Sequence, residues 1–359
     1  MLVLRKRVDN LKAIAFCKDF VLSDRPKYIF GRNAFVKSIA EKVDIDGFID
    51  EFTSDTSFLN KPIQPIDEVP DDALVVVAVV LGKPLIAEHK VSKYQFEYLD
   101  YYSFYKYSNL ELQNISSLIG VTDDLEQNFS KYQWIYGLLS DAESKNQFSN
   151  IINFKYSYDI DYMRGFESIE YRQYFEDFLN LKESGESFVD VGLYDGYTSE
   201  EFIKRCPDYD KVFCFEPEPT NIEIAKKRLE SYKNIIFFDK GLADKQQQLR
   251  FSNSGSGSKV SESGETVIEV DRLDNLINEK VTFIKMDIEG EEGRAIQGAL
   301  YTIKKYHPKL AISVYHKKDD FWKIPELILS IRSDYNIYLR HYTQGVDETV
   351  MFFIPKKIR

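Results

Sequence analysis

Three side chains that can accept a proton follow predicted strands in the C-terminal half of the chain. Asp287 and Glu289 come directly after the apolar segment 281–286, and His316 follows the apolar segment 310–315. In an open α/β sheet, ligands bind beyond the carboxyl ends of the strands, so these positions are expected to face a reacting group. Imidazole titrates near neutrality and can act as a general base, and a carboxylate can accept a proton or bind a cationic group.

A glycine-bearing turn precedes these residues in the chain. The stretch 188–198, FVDVGLYDGYT, contains an apolar strand, a turn with Gly192 and Gly196, and the beginning of a helix. The next apolar segment, 212–215, ends on Glu216. A strand, a glycine turn, a helix and a strand tipped by an acidic residue form the nucleotide-binding half of a Rossmann-like fold, where the carboxylate accepts hydrogen bonds from ribose hydroxyls.

The spacing of the two glycines favours S-adenosylmethionine over a dinucleotide. The dinucleotide fingerprint is G-x-G-x-x-G, which lets pyrophosphate oxygens sit on a helix N-terminus. Here the spacing is G-x-x-x-G, with the bulky Leu193 and Tyr194 between the glycines. Such a turn is too crowded for a pyrophosphate, whereas a methionine tail and a ribose carry no phosphate. The alternative is a strand–helix–strand unit whose glycines only make a turn.

The later predicted elements complete a mostly parallel sheet with an antiparallel end. Helices are predicted over 291–306 and 324–332, on either side of the strand 310–315. The last two strands, 335–342 and 348–354, are so close in the chain that they must pair antiparallel. A parallel sheet that finishes in such a hairpin is typical of class I methyltransferases.

Several separate motifs occur in a fixed order over residues 165–359. They are FVDVGLYDGYTSEEF, FCFEPEP, KGLAD at 240–244, the Ser/Gly stretch 252–258, FIKMDIEGEE, LAISVYHK with a following WKIP, and YLRHYT with ETVMFFI. In these motifs and their order, the chain resembles the FkbM family of S-adenosylmethionine-dependent methyltransferases. It departs from the usual pattern at Tyr194, where many class I enzymes have a glycine.

The resemblance implies a cofactor site assembled from strand ends. The residues expected to contact S-adenosylmethionine are Asp190, Gly192, Tyr194, Gly196, Thr198, Glu216, Gly241, Leu242 and Asp287. The glycine turn would border the methionine end and Glu216 would bind the ribose hydroxyls. Gly241 and Leu242 would border the adenine, although plain packing is an equal alternative for Leu242.

The reaction that the resemblance implies is methyl transfer to an oxygen, typically that of a sugar or another hydroxylated metabolite. An alcohol is a poor nucleophile until a base takes its proton. His316 is the first candidate for this base and His341 the second, followed by Asp287 and Glu289. Either carboxylate could instead bind the methionine ammonium or substrate hydroxyls, and His316 could be a histidine that only fixes loop geometry.

Three further alternatives stay open at this point. Asp287, Glu289 and His316 could together hold a divalent ion, but no dedicated ligand spacing is present, and we expect no metal. The acceptor could be a lipid, polyketide or peptide hydroxyl instead of a sugar, glycan precursor or nucleotide-linked sugar. Finally, the chain could belong to another functional class, as a catalytically inactive cofactor- or sugar-binding protein that keeps the fold.

Composition limits the remaining possibilities. The chain has 359 residues, enough for two domains, and its formal net charge of −11 argues against nucleic acid as the main partner. Three cysteines without a zinc-binding pattern suggest a cytoplasmic protein. We expect no signal peptide and no transmembrane segment, because the longest apolar run, 73–81, is too short to span a bilayer.

The sequence divides into three predicted regions. Residues 1–93 resemble a small Rossmann-like α/β domain that precedes some sugar-modifying transferases, with Gly31, Arg32 and Asn33 as nucleotide contacts if it binds one. A tyrosine-rich helical connector follows over 94–164. It is expected to be a structural connector or a dimer contact, and the less favoured alternative is a surface on which sugars stack. The methyltransferase domain covers 165–359. A homodimer is possible.

Overall fold

The computed structural model describes residues 1–5, 8–252, 259–260 and 266–356. The chain divides into two compact units. Unit 1 comprises Met1–Phe129, Asn146–Glu170 and His341–Asp347, and unit 2 comprises Ser130–Lys145, Tyr171–Arg340 and Glu348–Arg359. Of the Ser/Gly stretch 252–258, residues 253–258 lie outside the described residues.

Unit 1 is built on a six-stranded sheet in the order β3-β4-β2-β1-β5-β6. All neighbouring pairs in this order are parallel except β3 with β4, which is antiparallel. Strand β5, between β1 and β6, is buried along its whole length, as expected for a strand covered on both faces. The elements are α1 Leu11–Leu22, β1 Lys27–Phe30, α2 Ala34–Ala40, β2 Gly47–Ile49, β3 Ser57–Phe58, β4 Lys61–Gln64, β5 Leu74–Val77, α3 Pro84–Val91, β6 Glu97–Asp100 and α4 Tyr101–Tyr107.

Two of the three residues proposed as nucleotide contacts, Arg32 and Asn33, are engaged within unit 1. Arg32 forms ion pairs with Asp50 at 2.6 Å and with Asp55 at 2.7 Å. The Asn33 side chain accepts a hydrogen bond from the amide of Val36 and so caps the N-terminus of α2. These contacts serve the structure of unit 1 itself.

The predicted connector is not a separate unit. The boundaries of the two units fall within α5, Val121–Leu138, and α6, Ala142–Ser157. Tyr101 and Tyr102 of the tyrosine-rich segment are fully buried in unit 1, and the hydroxyl of Tyr102 donates to a backbone carbonyl. These two tyrosines therefore act as core residues.

Unit 2 contains a seven-stranded sheet in the order β16-β17-β15-β14-β7-β8-β9. The strands from β15 to β9 are parallel, and β17 pairs antiparallel with β15, which confirms the predicted class of sheet. The elements are β7 Ser187–Val191, α7 Tyr197–Arg205, β8 Lys211–Phe215, α8 Pro219–Leu229, β9 Ile235–Phe238, α9 Leu273–Leu276, β14 Phe283–Met286, α10 Glu292–Gly298, α11 Leu300–Tyr306, β15 Lys309–Ser313, α12 Asp320–Ile331, β16 Tyr335–His341 and β17 Thr349–Pro355.

A second sheet in unit 2 has four strands in the order β10-β13-β11-β12. Its strands are β10 Gly241–Leu242, β11 Gln247–Ser252, β12 Lys259–Val260 and β13 Thr266–Asp271. Short 3₁₀ helices occur at Ile66–Glu68, Ser116–Leu118, Ile160–Met163, Glu170–Arg172 and Asp177–Leu179. Among the helices in the described part of the chain, none is both long enough and apolar enough to cross a membrane.

Two helix predictions were wrong in their bounds. The helix predicted over 291–306 is broken into α10 and α11 at Ala299, where the backbone leaves helical geometry (φ −112°, ψ 13°). Just before this break, Gly298 packs so closely on Ala243 that a Cβ at Gly298 would lie 2.0 Å from the Ala243 carbonyl oxygen. Helix α12 begins at Asp320 instead of 324, and it contains Pro325 in its interior, although proline is normally disfavoured there.

Gly298→Ala tests this close approach. Alanine favours a helix over glycine by about 0.5–1 kcal/mol, but here the added methyl collides with backbone, and overpacking costs about 1–3 kcal/mol. We expect a lower urea midpoint of unfolding. The matched control is Gly137→Ala in α5, where a Cβ meets nothing within 4 Å and stability should hold or rise. Equal effects of the two substitutions would contradict the packing at Gly298.

Candidate functional site

Four neighbouring parallel strands, β15, β14, β7 and β8, bring the predicted site residues to one edge of the sheet. His316 follows β15, Asp287 follows β14, the glycine turn follows β7, and Glu216 follows β8. From β7 the chain proceeds to β8 and β9 on one side, whereas β14 and β15 lie on the other side. The crevice at this reversal of strand order is where open α/β sheets bind ligands.

The glycine loop, residues 192–196, is held in left-handed backbone conformations. Gly192 has φ +81°, Tyr194 +52° and Gly196 +83°. A Cβ at Gly192 would lie 1.9 Å from the carbonyl oxygen of Asp287, so no larger residue fits there without movement of the backbone. Tyr194 adopts its conformation without a glycine's freedom, at a cost of about 1–2 kcal/mol, and its side chain is half-exposed.

Glu216 anchors the glycine loop to the end of β8. Its Oε2 accepts a hydrogen bond from the amide of Tyr194 at 2.9 Å, and its Oε1 accepts one from the amide of Glu218 at 3.0 Å. Burial raises the pKa of the Glu216 carboxyl, against the lowering effect of these amides. An ionised carboxylate offers about four acceptor positions, so Glu216 retains acceptor capacity for further hydroxyl donors.

Beneath the glycine loop lies a buried ion pair. Lys285 Nζ is 3.1 Å from Asp190 Oδ1, and both side chains are almost completely shielded from solvent. The ammonium also donates to the carbonyl of Gly192 at 2.6 Å, and Asp190 Oδ2 accepts from the Ser199 hydroxyl at 2.8 Å. Asp190 therefore supports the loop through Lys285 from inside the sheet.

The other predicted cofactor contacts lie on neighbouring elements. Thr198 is half-buried in the first turn of α7. Gly241 and Leu242 form the short strand β10, which pairs parallel with β13. Leu242 is buried, in agreement with the packing alternative.

An acid–histidine cluster, formed by Asp287, Glu289, Glu292 and His316, occupies the ends of β14 and β15 and the start of α10. His316 Nδ1 lies 3.0 Å from Glu292 Oε1. Its Nε2 lies 3.5 Å from Asp287 Oδ1 and 3.7 Å from Glu289 Oε2. Burial disfavours the imidazolium, but the three carboxylates outweigh it and raise the pKa of His316 to about 10.

The carboxylate of Asp287 is held by two tyrosines that sequence reasoning missed. Tyr174 donates its hydroxyl to Asp287 Oδ2 at 2.5 Å, and the Tyr315 hydroxyl lies 3.4 Å from Oδ1. Burial raises the pKa of Asp287, yet the charge of His316, helped by Lys285 and by Tyr174, leaves that pKa lowered. Tyr174 lies far from the recognised motifs, so the sequence carried no signal for it.

Glu292 was also missed, although it is the last residue of the motif FIKMDIEGEE. It is completely buried, and its Oε1 accepts from the amide of Ile288 at 2.9 Å and of Gly290 at 3.4 Å. Glu292 thereby ties the turn that carries Asp287 and Glu289 to the start of α10. The available signal was its position in the motif, since Glu292 lies three residues, about one helical turn, beyond Glu289.

His341 does not belong to the acid–histidine cluster. It falls in unit 1, where its Nε2 lies 3.1 Å from the carbonyl of Gly345 and its ring packs edge-on against Phe166. Burial, with a smaller effect from Lys155, lowers the pKa of His341 to about 3. The ring is therefore neutral at physiological pH and engaged in the structure of unit 1.

The sheet order and the ligand-facing edge define a class I methyltransferase fold. Residues 190–343 match the family described as the methyltransferase FkbM domain. This match falls within the region 165–359, whose motifs resemble the same family.

One solved structure supports this fold, and a second is only weakly similar. The crystal structure of methyltransferase FkbM from Methylobacillus flagellatus KT matches with a TM-score of 0.79 and 22% identity, over 96% of this chain and 93% of that chain. An rRNA methylase from Streptococcus thermophilus gives a TM-score of 0.35 and 14% identity, over 50% of this chain and 93% of that chain. No curated protein sequence matches the chain.

A double-mutant cycle tests the ion pair beneath the glycine loop. Lys285→Met leaves the Asp190 carboxylate buried without its cation, and breaking a buried pair in this way costs about 3–5 kcal/mol. We expect the double variant Asp190→Asn/Lys285→Met to be more stable than Lys285→Met alone, measured by urea unfolding. If the second substitution instead adds its own full cost, the two side chains are not coupled.

Proposed function

We propose that the protein transfers a methyl group from S-adenosylmethionine to a hydroxyl oxygen of a sugar, a glycan precursor or a nucleotide-linked sugar. One observation carries this proposal. The glycine loop with Glu216 and the acid–histidine cluster follow adjacent parallel strands, so a cofactor site and a group of proton acceptors share one sheet edge. The FkbM family match supports the methyl transfer itself.

The residues present fit S-adenosylmethionine at the glycine loop and at the end of β8. Glu216 is a buried carboxylate with acceptor positions left over after its two backbone contacts, and ribose supplies two hydroxyl donors. The loop next to it carries no cationic side chain between Gly192 and Gly196 that would favour a phosphate. When bound, the cofactor supplies an electrophilic methyl group on a sulfonium.

The acid–histidine cluster is the proposed position of the acceptor hydroxyl. As the oxygen gains the methyl carbon and the carbon–sulfur bond breaks, the hydroxyl proton must pass to a base. His316 is the first candidate from the sequence, but its pKa of about 10 keeps the ring protonated near neutral pH. Asp287, whose pKa is lowered, is therefore the better acceptor of the proton, and Glu289 is the other candidate. Asp287 is partly exposed and oriented by two tyrosines, so it can meet a hydroxyl directly.

The class of acceptor rests on the family resemblance and on charge. A net charge of −11 disfavours nucleic acid, and a panel of hydroxylated acceptors separates the remaining possibilities. Methylation of sugars or nucleotide-linked sugars supports the proposal. Turnover confined to lipid, polyketide or peptide hydroxyls would overturn the sugar assignment and leave methyl transfer in place.

Glu216→Gln tests the cofactor site. Hydrogen bonds to a charged acceptor are worth about 1.5–3 kcal/mol, so the affinity for S-adenosylmethionine should fall roughly 10- to 100-fold in isothermal titration, with no heat from NAD in either protein. The control is Glu223→Gln on α8, an exposed residue paired with Lys226, which should bind like the wild type. Unchanged affinity in Glu216→Gln would remove Glu216 from the site.

His316→Gln and Asp287→Asn test the acid–histidine cluster. Loss of a general base lowers turnover by about 10²–10⁴-fold, whereas affinity for S-adenosylmethionine should change much less in His316→Gln. Release of S-adenosylhomocysteine in the presence of an accepted hydroxyl compound measures turnover. His307→Gln is the matched control, since His307 precedes β15 and so lies at its amino end. Wild-type turnover in both cluster variants would show that the base lies elsewhere.

A further inference from the structure

We propose that the acid–histidine cluster binds a divalent metal ion through Asp287, Glu292 and His316. Each of these residues offers one ligand atom, and the three atoms lie within 4.8 Å of one another. Ligands held at about 2.1 Å from one ion are separated by up to about 4.2 Å. Small side-chain rotations would therefore bring all three to bonding distance.

Glu292 presents an oxygen that the protein itself leaves unused. Its side chain is completely buried, and its Oε1 accepts from the amides of Ile288 and Gly290. Its Oε2 is buried as well and has no hydrogen-bond partner among the described residues. A buried acceptor without a partner carries a desolvation penalty of about 1–3 kcal/mol, more when charged, which a coordinated cation would remove.

His316 independently points to the same ligand. Its side chain is more than nine-tenths buried, and neither ring nitrogen makes a well-directed hydrogen bond to any described residue. The two nitrogens nevertheless face carboxylates, with Glu292 Oε1 3.0 Å from Nδ1 and Asp287 Oδ1 3.5 Å from Nε2. In metal sites a neutral imidazole binds the ion through one nitrogen, and the other commonly faces a carboxylate, so the ion would replace one proton of the His316 imidazolium.

The local balance of charge also favours a cation. Asp287, Glu289 and Glu292 surround one imidazole, and the buried Asp320 lies close enough for its charge to interact with that of Glu292. Lys285, the nearest buried ammonium, is already committed to Asp190 and to the carbonyl of Gly192. Buried carboxylates persist when they are paired or coordinate a metal.

The donor set indicates the class of ion. One imidazole with two carboxylates suits first-row divalent ions such as Mn²⁺, Fe²⁺ and Zn²⁺, whereas Ca²⁺ and Mg²⁺ prefer oxygen ligands alone. The catalytic use of the ion rests on the proposed function. A hydroxyl bound to a divalent ion ionises more readily, and His316 would then be a ligand while the ion activates the acceptor.

Mn²⁺ binding to the full-length protein tests this site directly. The protein is stripped with EDTA, dialysed and titrated with MnCl₂ while the electron paramagnetic resonance signal of free Mn²⁺ is followed. We expect about one bound ion per chain, and at least about tenfold weaker binding in Glu292→Gln. The exposed control Glu223→Gln should bind like the wild type. An undiminished free-ion signal with wild-type protein, or equal binding by Glu292→Gln and wild type, would overturn the metal site.

Two further measurements keep the result unambiguous. Glutamine retains the carbonyl oxygen that caps Ile288 and Gly290, but if Glu292→Gln does not reach the wild-type circular dichroism spectrum, Asp287→Asn replaces it with the same expected loss. Titration of the EDTA-treated protein with S-adenosylmethionine separates this inference from the proposed function. Intact cofactor binding without Mn²⁺ binding refutes only the metal site, and Mn²⁺ binding without cofactor binding refutes only the methyltransferase cofactor.

Discussion

The ammonium of Lys285 is buried between two neighbouring strands of unit 2, and the geometry of the candidate site depends on it. It neutralises Asp190 on β7 and at the same time holds the carbonyl of Gly192. A charge in this position is tolerated only when its partners are well placed. The start of the glycine loop is thus fixed to β14, the strand that delivers Asp287, and the rest of the site is arranged around that connection.

Beyond this ion pair, the site is assembled from strand ends by backbone contacts. Glu216 accepts the amide of Tyr194 in the glycine loop, and Glu292 accepts amides in the turn between β14 and α10. Carboxylates therefore serve two purposes at this sheet edge. They hold the loops in place, and they concentrate negative charge around His316, which is enough to raise its pKa to about 10 despite burial.

Much of this arrangement could be predicted because the strands of unit 2 are short, apolar and followed by residues of distinct chemistry. The strand before Asp287 and the strand before Glu216 end where the sequence indicated, and the sheet contains the predicted antiparallel last strand, β17. Side-chain contacts over long separations could not be predicted. Tyr174 reaches Asp287 from 113 positions away, and no local pattern encodes that contact.

The differences between the sequence-based expectations and the structure have equally local causes. Periodicity alone joined α10 and α11, since it does not register the close approach of Gly298 to Ala243. His341 follows an apolar segment, as His316 does, but its surroundings in unit 1 keep it neutral and bonded to backbone. In the tyrosine-rich segment, Tyr101 and Tyr102 are buried as core residues of unit 1, because large aromatic side chains stabilise a core by burial.

The contact of Gly192 with the backbone of Asp287 has a thermodynamic consequence. With no room for even a methyl group between them, the glycine loop and the turn that bears Asp287 share one boundary. A ligand that shifts either segment must do work against the other, and such coupling is reciprocal. If ligands bind on both sides of this contact, their two binding equilibria would be linked through it.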